Sequence, residues 1–324
     1  MKTRRILAMC AAGLLVLGLS GVVSGCTTDK PADGDKGITI GMANLYLGGP
    51  YFVGMRTAVQ QAGAGFGWTV NVSDADGDSD KLLADVENFI AQGVDGLVIS
   101  GAWLNDFPAV LDAAEAAEIP VVLVDRLTSS ANYTAWVGPD NPWIGEQVGK
   151  YFAEQVPDGG VAVVIKGGPA DNTIGIARTS GVVKGLEAAG NFTIEYSPDF
   201  GDWSTDGGKA SMENMLAKLP KIAVVFCEND SMCLGAQSAA ADAGRSDEMI
   251  FGGVDGQNEA IQEIIAGTNY KVTGYNDASV IGKIGTETLK KILDGETVPH
   301  DFTVDSPMIT IDNAADFKDA GLWS

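Results

Sequence analysis

The stretch Val224–Ala236, VVFCENDSMCLGA, places a thiol, a carboxylate, an amide and a second carboxylate at Cys227, Glu228, Asn229 and Asp230, with another thiol at Cys233. Those types could form a nucleophile, a metal site, a disulfide or the rim of a binding pocket. A nucleophilic Cys227 needs a base within reach, and the chain's single histidine, His300, sits beside a proline far along the sequence, where a solvated loop role fits it. Two thiols without further cysteine or nearby histidine leave a tetrahedral zinc shell incomplete. No GxSxG, HExxH or GxxxxGK[ST] signature occurs, so acid–base and nucleophilic catalysis lack their parts and no cofactor is implied. Asp74, Asp76 and Asp78 alternate as in a calcium loop, but the glycine is Gly77 rather than the sixth residue, and the twelfth is Asp85 rather than glutamate. A strand end, a turn, and a helix capped near Asp78 or Ser79 account for that stretch.

The elements that hold these residues follow a regular rhythm. From Ile38, short β-rich runs (ITIGMAN, TVNVSDA, GLVIS, VVLVD) alternate with helical stretches at 53–64, 80–92 and 107–118, which predicts βαβ units and a parallel sheet. After 132–138 the rhythm restarts with VAVVIKG, FTIEYS, IAVVFC, MIFGGV and KVTGY, separated by helices at 177–189, 209–219, 232–243 and 258–266; a helix at 280–293 and the run MITI at 308–311 follow. The predicted fold is α/β: two Rossmann-like lobes, each a parallel sheet flanked by helices.

Ligands of open α/β sheets bind beyond the carboxyl ends of the strands. Standing there are Asn44, Asp74, Ser100, Asp125 with Arg126, Glu228 to Asp230, Asp255 and Asn276. Asp74, Asp78 and Asp230 read as turn or helix-cap residues, whereas no helix begins directly after Asp125-Arg126, Asp255 or Asn276. Asp and Asn accepting from adjacent hydroxyls, with Arg donating in a planar fork, suit a neutral polyol, and the C–H face of a sugar packs on aromatic rings. Tyr51 and Phe52 follow the first strand, Trp103 the third, and Trp203 stands among Asp202, Ser204 and Asp206.

The formal charge of −22 over 324 residues excludes a basic nucleic-acid-binding surface. Lys2, Arg4 and Arg5 precede an apolar run from Ile6 to Val23, the pattern of an export signal. Val23-Ser24-Gly25-Cys26 resembles the lipobox of bacterial lipoproteins, with Cys26 acylated, which makes residues 1–26 a lipoprotein signal and 27–37 a flexible tether. A protein so processed would be held outside the cell membrane by a lipid anchor alone. Cys227 and Cys233 are then the only thiols of the folded part, either bonded or packed as two small buried side chains.

Taken in order, NLYLGGPYFVGM, DADGDSDKLLADVENFIAQGVDGLVIS, IPVVLVDR, VGPDN, IARTSGVVKGL, DWSTDGGKASMENML, VVFCENDSMCLGA, GGVDG and TGYNDASVIG resemble the type I periplasmic-binding-protein family, specifically its pentose and hexose binders, over about residues 38–300. The resemblance implies a solute-binding subunit of a sugar-importing ABC transporter, monomeric, partnered by a permease and not an enzyme. It implies an N-terminal lobe of 38–138 plus 277–303, a C-terminal lobe of 139–276, and a tail, 304–324, crossing a three-segment hinge. Tyr51 and Phe52 would form an aromatic wall with Asn44 near it. Asp125 and Arg126 would hold hydroxyls from the same lobe, and Arg178, Trp203, Asn229, Asp255 and Asn276 would act from the second lobe and hinge. Gly49, Gly101, Ile174 and Val254 depart from the family's polar or aromatic choices, which leaves a deoxysugar, a sugar alcohol or another polyol open. An extracellular sensing module for a furanosyl signal or other small polar solute is the alternative role. A transcription repressor of this fold would need a helix-turn-helix where the signal and tether stand.

Overall fold

The computed structural model describes residues 37–104, 106–168 and 174–322. The chain runs β1 (Thr39–Asn44), α1 (Pro50–Gly65), β2 (Thr69–Asp74), α2 (Ser79–Gln92), β3 (Gly96–Ser100), α3 (Pro108–Ala116), β4 (Val121–Val124) and β5 (Ala135–Pro139). It continues through α4 (Asn141–Gln155), β6 (Gly160–Ile165), α5 (Ile174–Glu187), β7 (Phe192–Tyr196), α6 (Thr205–Lys218), β8 (Val224–Cys227), α7 (Asp230–Asp242), β9 (Ile250–Asp255), α8 (Asn258–Ile265) and β10 (Tyr270–Tyr275). Last come α9 (Ala278–Leu293), β11 (Asp301–Val304) and β12 (Met308–Ile309).

One sheet has the order β11-β5-β4-β3-β1-β2 and the other β12-β10-β9-β8-β6-β7. Every pairing is parallel except β10 with β12. The apolar strands are covered on both faces, and alternate residues serve alternate cores. Leu97 and Ile99 pack with Leu82, Val86 and Leu111 of α2 and α3, while Val98 between them joins Met55, Val59 and Ile281 of α1 and α9. In the second sheet Val163 and Ile165 face Met212, Met232 and Ile261, and Ala162 and Val164 face Ile144, Phe152 and Val182.

Helix starts are fixed by side-chain oxygens on orphan amides. Asp78 accepts from the amides of Asp80 and Lys81, Ser204 from Gly207, and Asp277 from Ser279 and Val280. Helix α4, absent from the sequence reading, is capped by Asp140. Its Gly145 and Gly149 lie so close to α5 that a Cβ at either would fall 2.2 and 2.3 Å from the carbonyl oxygens of Arg178 and Val182. Alanine there would have to push the helices apart, at about 1–3 kcal/mol. Strand β11 was likewise unread, and of MITI only Met308 and Ile309 form a strand.

The chain passes between sheets three times: from β5 into α4, from β10 into α9, and from β11 to β12. The export signal, Cys26 and most of the tether lie outside the described residues. Among the described residues no helix is long and apolar enough to cross a membrane.

Candidate functional site

Parallel register brings the strand ends of each sheet level, as with Asn44 opposite Asp74 and Ser100, or Asp255 opposite Tyr275. A cavity of about 550 Å³ lies between the two sheets' carboxyl edges. Tyr51, Phe52, Trp103, Asp125, Arg126, Arg178, Trp203, Asn229 and Asp255 line it.

Its polar floor is one connected network. Tyr51 Oη donates to Asp125 Oδ1 at 3.0 Å and accepts from Asn276 Nδ2 at 3.0 Å, and that same amide donates to Asp255 Oδ1 at 3.2 Å. Arg178 Nη2 pairs with Asp255 Oδ1 at 3.1 Å, while its Nε and Nη1 donate to Asn141 Oδ1 and the Glu228 carbonyl at 2.8 and 2.6 Å. The guanidinium is thus fixed in plane by α4 and the end of β8. Glu228, also buried, accepts from the Gly167 amide and Thr179 Oγ1, both at 2.6 Å, and ties the end of β6 to α5. On the first lobe Arg126 Nε donates to the Ala102 carbonyl, and Trp136 Nε1 to the Asp125 carbonyl at 3.1 Å.

Non-glycine residues with positive φ concentrate here: Ala102 (44°), Asp125 (65°), Asp202 (49°), Trp203 (54°) and Asp255 (119°). Each such conformation costs about 1–3 kcal/mol and persists where the surroundings hold it. Asp125, Asp202 and Asp255 adopt it while standing in the cavity wall.

Burial dominates the protonation of the acids. It raises Asp255 to about 6, with the Arg178 charge opposing and the Asp125 charge adding. Burial, then the charges of Asp125 and Asp255, push the Tyr51 phenol well above its ordinary range, so it remains a hydrogen-bond donor. Near neutral pH the network therefore presents the Asp255 carboxylate as an acceptor, a donor phenol and amide, and a fixed guanidinium.

The aromatic wall is continuous. Phe52 meets the edges of Tyr51 and Tyr46 at centroid distances of 5.6 and 6.1 Å, and Tyr46 lies 5.1 Å from Trp103. Across the cavity the Trp203 ring covers Gly167, where a Cβ would fall 2.1 Å from it.

Some assignments are corrected. Asn44 is fully buried and outside the cavity wall, its Nδ2 donating to the Met42 and Ser73 carbonyls at 3.3 and 2.9 Å, which ties it to the backbone of β1 and β2. Asn276 stands behind the wall, orienting Tyr51 and Asp255. Asp230 does not cap α7. Asn229 does, accepting from the Met232 amide at 3.0 Å and donating to the Trp203 carbonyl at 3.2 Å. Asp230 is buried beneath, accepting from Tyr270 Oη, Thr273 Oγ1 and the Gln257 amide at 2.7, 2.8 and 2.9 Å. Cys227 and Cys233 are free and buried, with Cys233 Sγ donating to the Gly252 carbonyl at 3.2 Å, so no disulfide links them. Burial and contact with Cys233 push the Cys227 thiol well up, which suppresses the thiolate. Sequence reasoning missed Tyr46, Ser231 and Gln257 in the wall; the second stands directly after two cap-competent residues and the third two positions beyond Asp255.

Two α/β lobes hold a polar cavity between their strand ends. The chain belongs to the periplasmic binding protein domain family, whose model matches residues 40–297. It is 30% identical over 273 residues to the ribose import binding protein of Bacillus subtilis, covering 84% of this chain and 87% of that one. It is also 30% identical over 283 residues to the fructose import binding protein of Bifidobacterium longum, covering 82% and 83%. Among solved structures, an ABC transporter solute-binding protein from Mycobacterium smegmatis with bound glycerol superposes with a TM-score of 0.80 at 31% identity, covering 87% of this chain and 96% of that one.

Proposed function

We propose that this protein is the extracytoplasmic solute-binding component of an ABC importer and captures a monosaccharide or related polyol between its two lobes. The observation that carries the reading is the chain Asp125–Tyr51–Asn276–Asp255–Arg178, in which Asn276 stands behind and Asp125, Tyr51, Asp255 and Arg178 line a cavity walled by Phe52, Trp103 and Trp203. Vicinal hydroxyls both donate and accept, so two carboxylates and a guanidinium can satisfy them together, while the rings cover the C–H face. The ribose and fructose import relatives and the glycerol-bound neighbour support the same ligand class. Binding draws the lobes together about the three connecting segments and excludes water from the network.

The finer parts of the reading are that Cys26 carries a lipid anchor, that the protein acts as a monomer, and that it delivers its ligand to a membrane permease. A dissociation constant near micromolar, about −8 kcal/mol, suffices for capture while allowing release.

A thermal-shift screen of residues 37–324 against pentoses, hexoses, polyols and amino acids tests this function. A ligand at 100 times its dissociation constant stabilises by about 2.7 kcal/mol, or roughly 5–10 °C for a protein of this size. An amino acid raising the melting temperature while every sugar and polyol leaves it unchanged would rule out the carbohydrate reading.

A further inference from the structure

Ser231 and Gln257 share the second lobe's side of the cavity wall but belong to neither the charged network nor the aromatic wall. Ser231 lies in the first turn of α7, and Gln257 is the residue before α8. A residue at that position commonly turns its side chain onto the helix's first amides; Gln257 makes no such bond. Its Oε1 instead accepts from Ser231 Oγ at 2.7 Å. This fixes the amide's orientation and leaves Nε2, with two N–H groups, without a protein partner among the described residues. Ser231 Oγ, having spent its proton, keeps lone pairs beside that amide.

The backbone beneath is held from below. The Gln257 amide donates to Asp230 Oδ2 at 2.9 Å and the preceding Gly256 amide to Thr273 Oγ1 at 3.2 Å. Asp230 is itself fully buried and anchored by Tyr270 and Thr273. Gly253 makes this fit, since a Cβ there would fall 2.4 Å from Asp230 Oδ1. Gly256 turns at φ 70° directly after the strained Asp255, so one rigid turn presents Asp255 and Gln257 to the same cavity.

We infer that the Ser231–Gln257 pair is a second hydroxyl-reading subsite, in which Gln257, its amide oriented by Ser231 Oγ, donates through Nε2 to a ligand oxygen. Gln257 is the contacting, specificity-determining residue, and Ser231 and Asp230 position it. The inference rests on the sugar-binding reading and deepens it: the ligand carries a hydroxyl beyond those held by Asp125, Asp255 and Arg178. A neutral amide donor complements a neutral hydroxyl better than a phosphate or carboxylate, whose charge it would leave uncompensated.

Titration calorimetry of wild type, Gln257→Leu, Gln257→Glu, Ser231→Ala and the Ser231→Ala/Gln257→Leu double variant against D-ribose, D-fructose, D-allose, myo-inositol and glycerol tests it. For each compound that wild type binds through the subsite, Gln257→Leu is expected to raise Kd about tenfold, the worth of one hydrogen bond. Gln257→Glu, which keeps the shape and replaces the donor, should do the same. Ser231→Ala should have a smaller effect that vanishes in the Gln257→Leu background, with melting temperatures unchanged. Wild-type affinity retained by both Gln257 variants for every bound compound overturns the subsite while leaving the sugar reading intact. Additive effects of the two substitutions overturn the positioning role of Ser231. Wild type binding none of the five overturns the sugar reading and the subsite with it.

Discussion

Arg178→Met keeps most of the side chain's length and removes its charge. The guanidinium is 3% exposed and Asp255 10%, so solvent cannot replace what is lost. Removing one partner of a buried pair costs about 3–5 kcal/mol when the other charge is stranded. Asp255 has an escape, however: burial already lifts it to about 6 against the opposing Arg178 charge, and without Arg178 it rises further and takes up a proton at neutral pH. The lower end, about 3 kcal/mol, is therefore expected, or roughly 6–12 °C in melting temperature. Ligand binding loses a charge-assisted donor, about 1.5–3 kcal/mol, and affinity falls roughly 10- to 150-fold. The pH profile separates this account from mere loosening of the fold. In wild type, affinity declines as pH drops through about 6 and Asp255 is neutralised; in Arg178→Met the midpoint moves upward. Calorimetric titration from pH 5 to 8.5 measures both quantities. An affinity within about threefold of wild type, or an unmoved midpoint, would refute the reasoning.

Tyr51→Phe deletes the oxygen that joins Asp125 to Asn276 and should weaken binding about tenfold; equal affinities in the same titration would remove Tyr51 from the network. Asp230 is raised from 3.8 to about 7, first by burial and then by the Asp255 charge. Its folded value lies above its unfolded one, so its contribution is greatest in acid and is lost as pH rises through about 7, by roughly 4 kcal/mol in all. Asp230→Asn should therefore gain on wild type in thermal melts between pH 5 and pH 8, and a constant difference would contradict the assignment. Residues 37–324, denatured without reductant, should give two titratable thiols, Cys227 and Cys233; none would mean that they are bonded.

Most of the fold was legible because its strands are covered on both faces and read as short continuous apolar runs. Helix α4 was not, because Gly145 and Gly149 weaken its helical signal; what they serve is close contact with α5, made 33 residues later at Arg178 and Val182 and invisible locally. Strand-end position found Asp125, Arg126, Asn229 and Asp255 in the cavity wall, since parallel register carries such residues to a common edge. It failed where adjacent residues had equal credentials. Asn229 and Asp230 can both cap a helix, and the choice is made by Tyr270 and Thr273, whose hydroxyls draw Asp230 inward from a distant strand. Asn44 shows the converse: it stands at a strand end, but its amide is drawn onto the Met42 and Ser73 carbonyls and is fully buried. Gln257 carries no local mark, and only the Ser231 contact reveals its orientation.

The central claim is that a neutral sugar or polyol is held between two lobes that close upon it. Small-angle X-ray scattering from residues 37–324, titrated with pentoses, hexoses, polyols and amino acids, tests this most directly. The radius of gyration should fall saturably with at least one sugar or polyol and stay constant with amino acids. A radius unchanged by every sugar and polyol, or a contraction driven by an amino acid alone, would contradict it.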